Sequence, residues 1–194
     1  MRTRIKIGEW SMKRIWRLSL VALILISCTG CDQVTKNIAR ELLASSPPIS
    51  LLNGLVRFEY TENPGAFLGL GSNLPGEGRF LLFVIFASVS LLLTLAFITR
   101  VHNLDPKLLI GLSLVAGGGI GNLFDRIFNN GAVIDFVRLG VGPFRTGIFN
   151  LADVAIVGGV VMLFLWSARD REKGQGIPPD GIHKNDTDSI GQNL

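Results

Sequence analysis

Apolar residues gather along the chain into four stretches, 18–31, 80–98, 108–124 and 148–166, separated by segments where charge returns. A helix needs about 20 residues to cross a bilayer. The last three stretches approach that length; Arg79 and Arg100 bracket the second, and one acid, Asp153, interrupts the fourth. The first stretch is short and lengthens through Trp16 and Arg17, because an arginine can snorkel to the head groups. After the first stretch, Val56, Phe58 and Tyr60 alternate with Arg57 and Glu59, the period of a half-buried strand. Asn53-Gly54 just before them favours a type I′ turn, so the pattern predicts a hairpin lying on the membrane surface. Pro64-Gly65 marks a further turn, Phe67, Leu68 and Leu70 beyond it are placed to dip into lipid or cover a pocket, and 133–137 reads as another short strand. The expected fold is a membrane protein, mainly α, with four transmembrane helices and a small β-rich layer at one surface.

Composition agrees with this pattern. The 194 residues are 48% hydrophobic and 18% charged, against roughly 25% charged for a soluble domain, and the mean hydropathy is +0.43. Cys28 and Cys31 stand three apart in one apolar run and cannot staple a fold. The net charge of +4 is spread over loops and forms no basic stripe, which excludes nucleic acid as a partner. Basic residues do decide orientation. Arg2, Arg4, Lys6, Lys13, Arg14 and Arg17 precede the first span, Arg100 and Lys107 lie between the second and third, and Arg169, Arg171 and Lys173 follow the fourth. These groups share one side, so both termini are expected in the cytoplasm and loops 32–79 and 125–147 outside. The expected organisation is a basic extension, 1–14, a four-span domain, 15–167, and a disordered tail, 168–194, whose Asn185-Asp186-Thr187 sequon is then on the wrong side for glycosylation. The run ending Leu25-Ile26-Ser27-Cys28 also looks like a lipoprotein signal peptide, but three further spans argue against that.

An ionisable residue inside a span is costly and by default marks function. Asp125 ends the third stretch at its outer end, and Asp153 lies just inside the fourth, so both acids fall at similar depth. Each carries the same local pattern, Asn122-Leu123-Phe124-Asp125 and Asn150-Leu151-Ala152-Asp153, which places an amide and an acid on one helix face. Arg126 is placed to pair with a carboxylate or a lipid phosphate, and Asp32, with Lys36 four residues on, reaches the same layer. The two histidines, His102 and His183, lie on the other side. This leaves neither a histidine-activated nucleophile nor a histidine- or cysteine-ligated zinc at the layer. A close carboxylate pair shares one proton: one member activates water while the other hydrogen-bonds the carbonyl under attack. The bland alternatives are a buried ion pair at Arg126, interhelical glue from the asparagines, and a simple i,i+4 pair at Asp32 and Lys36. Gly117-x-x-x-Gly121 reads as helix packing, with admission of a substrate peptide as its alternative, and Asp135 as a surface-turn or strand acid supporting the site, with a catalytic role as its alternative.

Taken in order, these motifs resemble those of the lipoprotein signal peptidase family, signal peptidase II. Gly118-Gly119-Ile120-Gly121-Asn122-Leu123-Phe124-Asp125-Arg126 is similar to its third-helix motif, and Val133-Ile134-Asp135-Phe136 and Phe149-Asn150-Leu151-Ala152-Asp153 to the next two. Asp32-Gln33-Val34-Thr35-Lys36 and Glu62-Asn63-Pro64-Gly65-Ala66-Phe67 resemble its first-helix and outer-loop motifs, the latter shorter by one small residue before Phe67. The resemblance implies a monomeric aspartyl endopeptidase of the bacterial inner membrane with a β-rich periplasmic cradle, its site toward the periplasm. Implied partners are membrane lipids and the signal peptides of diacylglyceryl-modified prolipoproteins, cut just before the lipidated cysteine. Asp125 and Asp153 match the catalytic pair, and no metal or cofactor is implied. Asn63, Gly65, Asn122, Arg126, Asn150, Asp32, Lys36 and Asp135 match supporting or substrate-binding positions. Two other classes use similar residues. A small proton or cation transporter places its acids near the midplane, whereas these lie toward one face. A structural subunit joined by Asp–Arg pairs tolerates loss of either Asp.

Overall fold

The computed structural model describes residues 2–65, 75–101 and 103–174. In chain order they form α1 (Arg2–Leu43), β1 (Ile49–Leu51), a 3-10 turn (Leu52–Gly54), β2 (Val56–Asn63), α2 (Gly76–Arg100), α3 (Pro106–Phe128), β3 (Val133–Val141), β4 (Phe144–Arg145) and α4 (Leu151–Gly174). All four helices are long and apolar enough to cross a membrane, and the four strands make one antiparallel sheet in sequence order. The predicted hairpin is present: Leu51 pairs with Val56, and Asn53 and Gly54 between them both have positive φ. The strand expected at 133–137 runs on to Val141. Phe67, Leu68, Leu70, both histidines and the sequon lie outside the described residues.

α3 is the central helix, packed on α1, α2 and α4. Lipid tails are as apolar as the helix surfaces, so helices associate in a bilayer through close backbone approach and hydrogen bonds rather than hydrophobic burial. Small residues on α3 allow that approach. A Cβ on Gly118 would collide with the Ala152 carbonyl oxygen and lie 2.8 Å from the Ile156 Cγ1 of α4; one on Gly117 would lie 2.8 Å from the Cys28 Cβ of α1. The packing reading of this glycine run agrees with the structure. Outward, Leu81, Ile85, Phe86, Leu92 and Leu93 of α2 are exposed, as a lipid-facing helix requires.

The helices depart from the apolar stretches at their ends. α1 starts at Arg2 and continues past Cys31 to Leu43, so residues 2–14 are continuous with the first span and the outer loop begins later than expected. Its polar extension stays helical because Asp32, Lys36, Ala39 and Leu43, spaced as one helix face, are all buried against the rest of the fold. α4 starts at Leu151 rather than 148, because Phe149 first pairs with Val137 on β3, and it reaches Gly174, into the segment expected to be disordered. The sheet covers the C-terminal end of α1, where Phe58 and Phe136 meet Ile38 and Leu42 around a cavity of about 240 Å³. At the opposite end, Arg17 donates to the Ile98 carbonyl at 2.7 Å, and Lys107 and Arg169 line a common cavity.

Candidate active site

The ends of α1 and α3, the start of α4 and the strand β3 bring seven polar side chains into one layer. Asp32, Lys36, Asn122, Asp125, Asp135 and Asn150 are buried, and Asp153 is half-buried. Burial of so many polar groups is tolerable only if each finds partners, and the network shows how.

Lys36 stands at one edge. Its Nζ lies 2.7 Å from Asp32 Oδ2 and 2.9 Å from Asp125 Oδ2, and donates to Asn122 Oδ1 at 3.0 Å. Asp125 has partners on both oxygens: besides Lys36 it accepts from Gln33 Nε2 at 2.8 Å on Oδ1 and from the Ile134 N–H at 3.0 Å on Oδ2. Asp32 accepts from the Ala152 N–H at 2.9 Å, which satisfies one of the free donors in the first turn of α4. The Asp32–Lys36 pair is therefore both an i,i+4 pair and a clamp across three helices. Gln33 was not singled out from the sequence, although it lies inside the Asp32–Lys36 motif; it joins α1 to α3 through Asp125 and the Gly121 carbonyl.

The start of α4 stands at the other edge. Asn150 is its N-cap: Oδ1 accepts from the Asp153 N–H at 2.9 Å, while Asp153 Oδ2 accepts from the Asn150 N–H at 3.2 Å. This is a reciprocal capping box. Asp153 Oδ1 accepts from Asn122 Nδ2 at 2.9 Å. Asn150 Nδ2 donates to Asp135 Oδ1 at 2.7 Å and is also within reach of Asn122 Oδ1 and the Ile134 carbonyl. Asp135 Oδ2 accepts from Asn63 Nδ2 at 2.9 Å. Asn63 also accepts the Gly65 N–H, so the Pro64-Gly65 turn is tied to the site. Burial pushes the Asp135 carboxyl up to about 6; the Asn63 and Asn150 amides oppose the rise and the nearby Asp153 charge adds to it.

The structure therefore sorts the acids differently from the sequence. Asp125 and Asp153 do lie in one layer, but among the described residues no hydrogen bond joins them, and Asp125 spends its oxygens on an ammonium, an amide and a backbone N–H. Asp135, expected first as a supporting acid with catalysis as the alternative, is the acid that shares Asn150 with Asp153. Among the described residues neither Asp135 nor Asp153 enters an ion pair, whereas Asp125 and Asp32 do. Arg126, expected to meet a carboxylate or phosphate, instead donates to the Asn122 and Gly65 carbonyls at 3.1 and 3.0 Å and lies 5.7 Å from the Phe83 ring centroid, so it anchors the turn. Beside Asp153 lies a cavity of about 610 Å³ lined by Phe149, Val154, Val157 and Arg145, large enough for an apolar segment next to that carboxylate.

Comparison with known proteins bears on what this layer does. A family model described as signal peptidase (SPase) II matches residues 23–169. The lipoprotein signal peptidase of Caldicellulosiruptor bescii is 39% identical over 143 residues, 73% of this chain and 85% of that protein. The lipoprotein signal peptidase of Aquifex aeolicus is 33% identical over 142 residues, 73% of this chain and 81% of that one. A solved bacterial membrane enzyme shares the fold with a TM-score of 0.71 at 23% identity, over 82% of this chain and 94% of that chain.

Proposed function

Because the chain belongs to the signal peptidase II family, and so is an aspartic peptidase that removes signal peptides from prolipoproteins, we propose that Asp135 and Asp153 are its catalytic pair, in place of Asp125 and Asp153. One observation carries the reading: Asn150 gives its side-chain N–H to Asp135 and its backbone N–H to Asp153, so a single residue holds both carboxyls, and among the described residues neither enters an ion pair. A pair that must share a proton needs one member able to keep it near neutral pH. Asp135, with its carboxyl near 6, suits that role. Asp125 instead lies 2.9 Å from the Lys36 ammonium.

In the reaction, Asp153 takes a proton from a water molecule as the water oxygen adds to the scissile carbonyl. Asp135 gives its proton to the carbonyl oxygen. The tetrahedral species then collapses: the C–N bond breaks, the leaving amine takes the proton that Asp153 collected, and one hydroxyl returns a proton to Asp135 as the new carboxyl forms. Carboxyls and water supply every step. The cavity beside Asp153 takes the residues next to the scissile bond, and Asn63, Gly65 and Arg126 hold the turn above it. The finer substrate is a prolipoprotein carrying diacylglycerol on the cysteine that follows the cut, its acyl chains remaining in the bilayer.

The same reading sets the enzyme in the bacterial inner membrane with both termini cytoplasmic and the site at the periplasmic face. It is supported by Arg17, Lys107 and Arg169 gathering at the end away from the sheet. Residues 15–167 form the peptidase domain, with 1–14 and 168–194 as flanks, and one chain supplies every group the site needs, which supports a monomer. The test is release of signal peptide from a diacylated prolipoprotein by the purified enzyme. Asp135→Asn and Asp153→Asn each abolish it. Substantial cleavage by folded Asp135→Asn, together with its loss in folded Asp125→Asn, would overturn the assignment.

A further inference from the structure

An asparagine amide reads almost the same in either of its two flips, but the flips present opposite chemistry: NH2 to one neighbour and oxygen to the other, or the reverse. In the layer above, two amides, Asn122 and Asn150, each supply a donor to a reacting carboxylate. Something must forbid the wrong flip.

We propose that Lys36 is a positioning residue whose ammonium fixes the amide of Asn122, and with it that of Asn150, so that one NH2 faces each of Asp153 and Asp135. The inference rests on the Asp135–Asp153 reading. A lysine ammonium has three donors and no acceptor. The three donors of Lys36 meet Asp32, Asp125 and the Asn122 oxygen within 3.0 Å, in a site that leaves the side chain 1% exposed. The Asn122 oxygen must therefore face Lys36, which turns Nδ2 to Asp153 Oδ1 at 2.9 Å. The same oxygen accepts from Asn150 Nδ2 at 3.1 Å. At its other end the Asn150 oxygen faces the Asp153 N–H, again a group that can only donate. Each amide is thus pinned between a donor-only group on its oxygen and a carboxylate on its nitrogen.

Without the ammonium, only Asn150 Nδ2 holds the Asn122 oxygen and the Asp32 and Asp125 carboxylates draw the NH2 toward themselves, so Asn122 can flip and set its oxygen against the Asp153 carboxylate, acceptor against acceptor, removing one of the two hydrogen bonds that hold Asp153. Asp32 and Asp125 acquire a role in this scheme: they hold the ammonium where the Asn122 oxygen can find it. A purely structural Lys36, clamping α1 to α3, predicts lower thermal stability with normal turnover per folded molecule. A positioning Lys36 predicts a fall in kcat that runs through Asn122.

The experiment measures kcat, KM and the pH profile of purified, folded Lys36→Gln, Asn122→Ala and the double variant on a diacylated prolipoprotein. The expected result is at least about a tenfold fall in kcat for Lys36→Gln with KM nearly unchanged, and no further fall when it is added to Asn122→Ala. Effects that multiply in the double variant, or an unchanged kcat in Lys36→Gln, overturn the proposal. Should Lys36→Gln not fold, Asn122→Asp decides. It is isosteric and still binds the ammonium, but it puts an oxygen against Asp153. It is expected to fold, to lose most of its kcat and to shift the acidic limb of the pH profile upward, since a like charge disfavours ionisation of Asp153. An unchanged kcat and profile in that variant count against the proposal. Asp135→Asn separates the two levels: if it is inactive while Lys36→Gln is fully active, only the positioning role falls, and if it is fully active the catalytic reading falls with it.

Discussion

The chain contains the string Asn-Leu-x-Asp twice at the site, and the two copies do different work. Asn150-Leu151-Ala152-Asp153 sits at the start of α4, where the first N–H groups have no partner inside the helix. The string folds there into a reciprocal cap, and its acid is left half-buried beside a cavity. Asn122-Leu123-Phe124-Asp125 sits near the end of α3, where backbone donors are already used within the helix. There the two side chains turn outward to other elements, Asn122 to α4 and Asp125 to Lys36, Gln33 and β3. The chemistry of a short motif is set by where it falls on its helix and by what the neighbouring elements offer, not by its letters.

Exchanging the two acids for amides breaks or sharpens this contrast most strongly. Asp153→Asn keeps an acceptor in the cap and removes the proposed base, so turnover of the purified enzyme is expected to fall by at least about 10³-fold with little change in melting temperature. Asp125→Asn takes one of two anions from a buried ammonium, which costs about 3 kcal/mol of stability; turnover per folded molecule stays within about tenfold. Signal-peptide release and thermal melts in one detergent separate these outcomes. Equal loss of turnover in the two variants at equal melting temperature would erase the distinction between the copies.

A second contrast, between an acid held by an ammonium and one held by amides, is read through pH. Asp135 has its carboxyl raised from an ordinary 3.8 to about 6. The folded state therefore keeps this proton where the unfolded chain releases it. Its contribution to stability is full below pH 3.8, is lost as pH rises, and is gone above about 6. At ~1.4 kcal/mol for each pH unit between the two values the span is about 3 kcal/mol at most. Asp135→Asn does not titrate, so its melting temperature relative to the parent enzyme rises between pH 4 and 7. A difference that stays flat over that range is incompatible with a raised Asp135.

Much of this was legible in advance. The four spans, the hairpin and the strand at Val133 follow from period and turn residues, and the family follows from five ordered motifs. Asp32, Lys36, Asn122, Asn150 and Asp153 were all expected at one layer, and the structure brings them together. The outer third of α1 was not legible as helix by hydropathy, because its buried face is polar; the spacing of Asp32, Lys36, Ala39 and Leu43 was the available signal. The different standing of Asp125 and Asp135 was hidden for another reason. A carboxylate's role depends on which donors surround it, and those come from residues up to 92 positions away in the chain. The two copies of one string also made Asp125 and Asp153 look alike, whereas their hydrogen-bond partners differ.

The finest division lies within the α4 copy itself, where Asn150 both caps the helix and orients the site. Serine caps nearly as well as asparagine, whereas alanine does not cap, and the difference is about 1 kcal/mol. Neither can supply the amide that Asn150 gives to Asp135. Asn150→Ser and Asn150→Ala are therefore expected to lose similar amounts of turnover, since both forfeit that donor, while only the alanine variant forfeits the cap and melts lower than the serine one. Melting curves and signal-peptide release measured side by side test this. If serine restores turnover, the amide is dispensable and Asn150 acts on the site only by fixing where α4 begins. If alanine melts no lower than serine, the bond from the Asp153 N–H is not a stabilising cap, and the contrast between the two copies narrows to the partners of their acids.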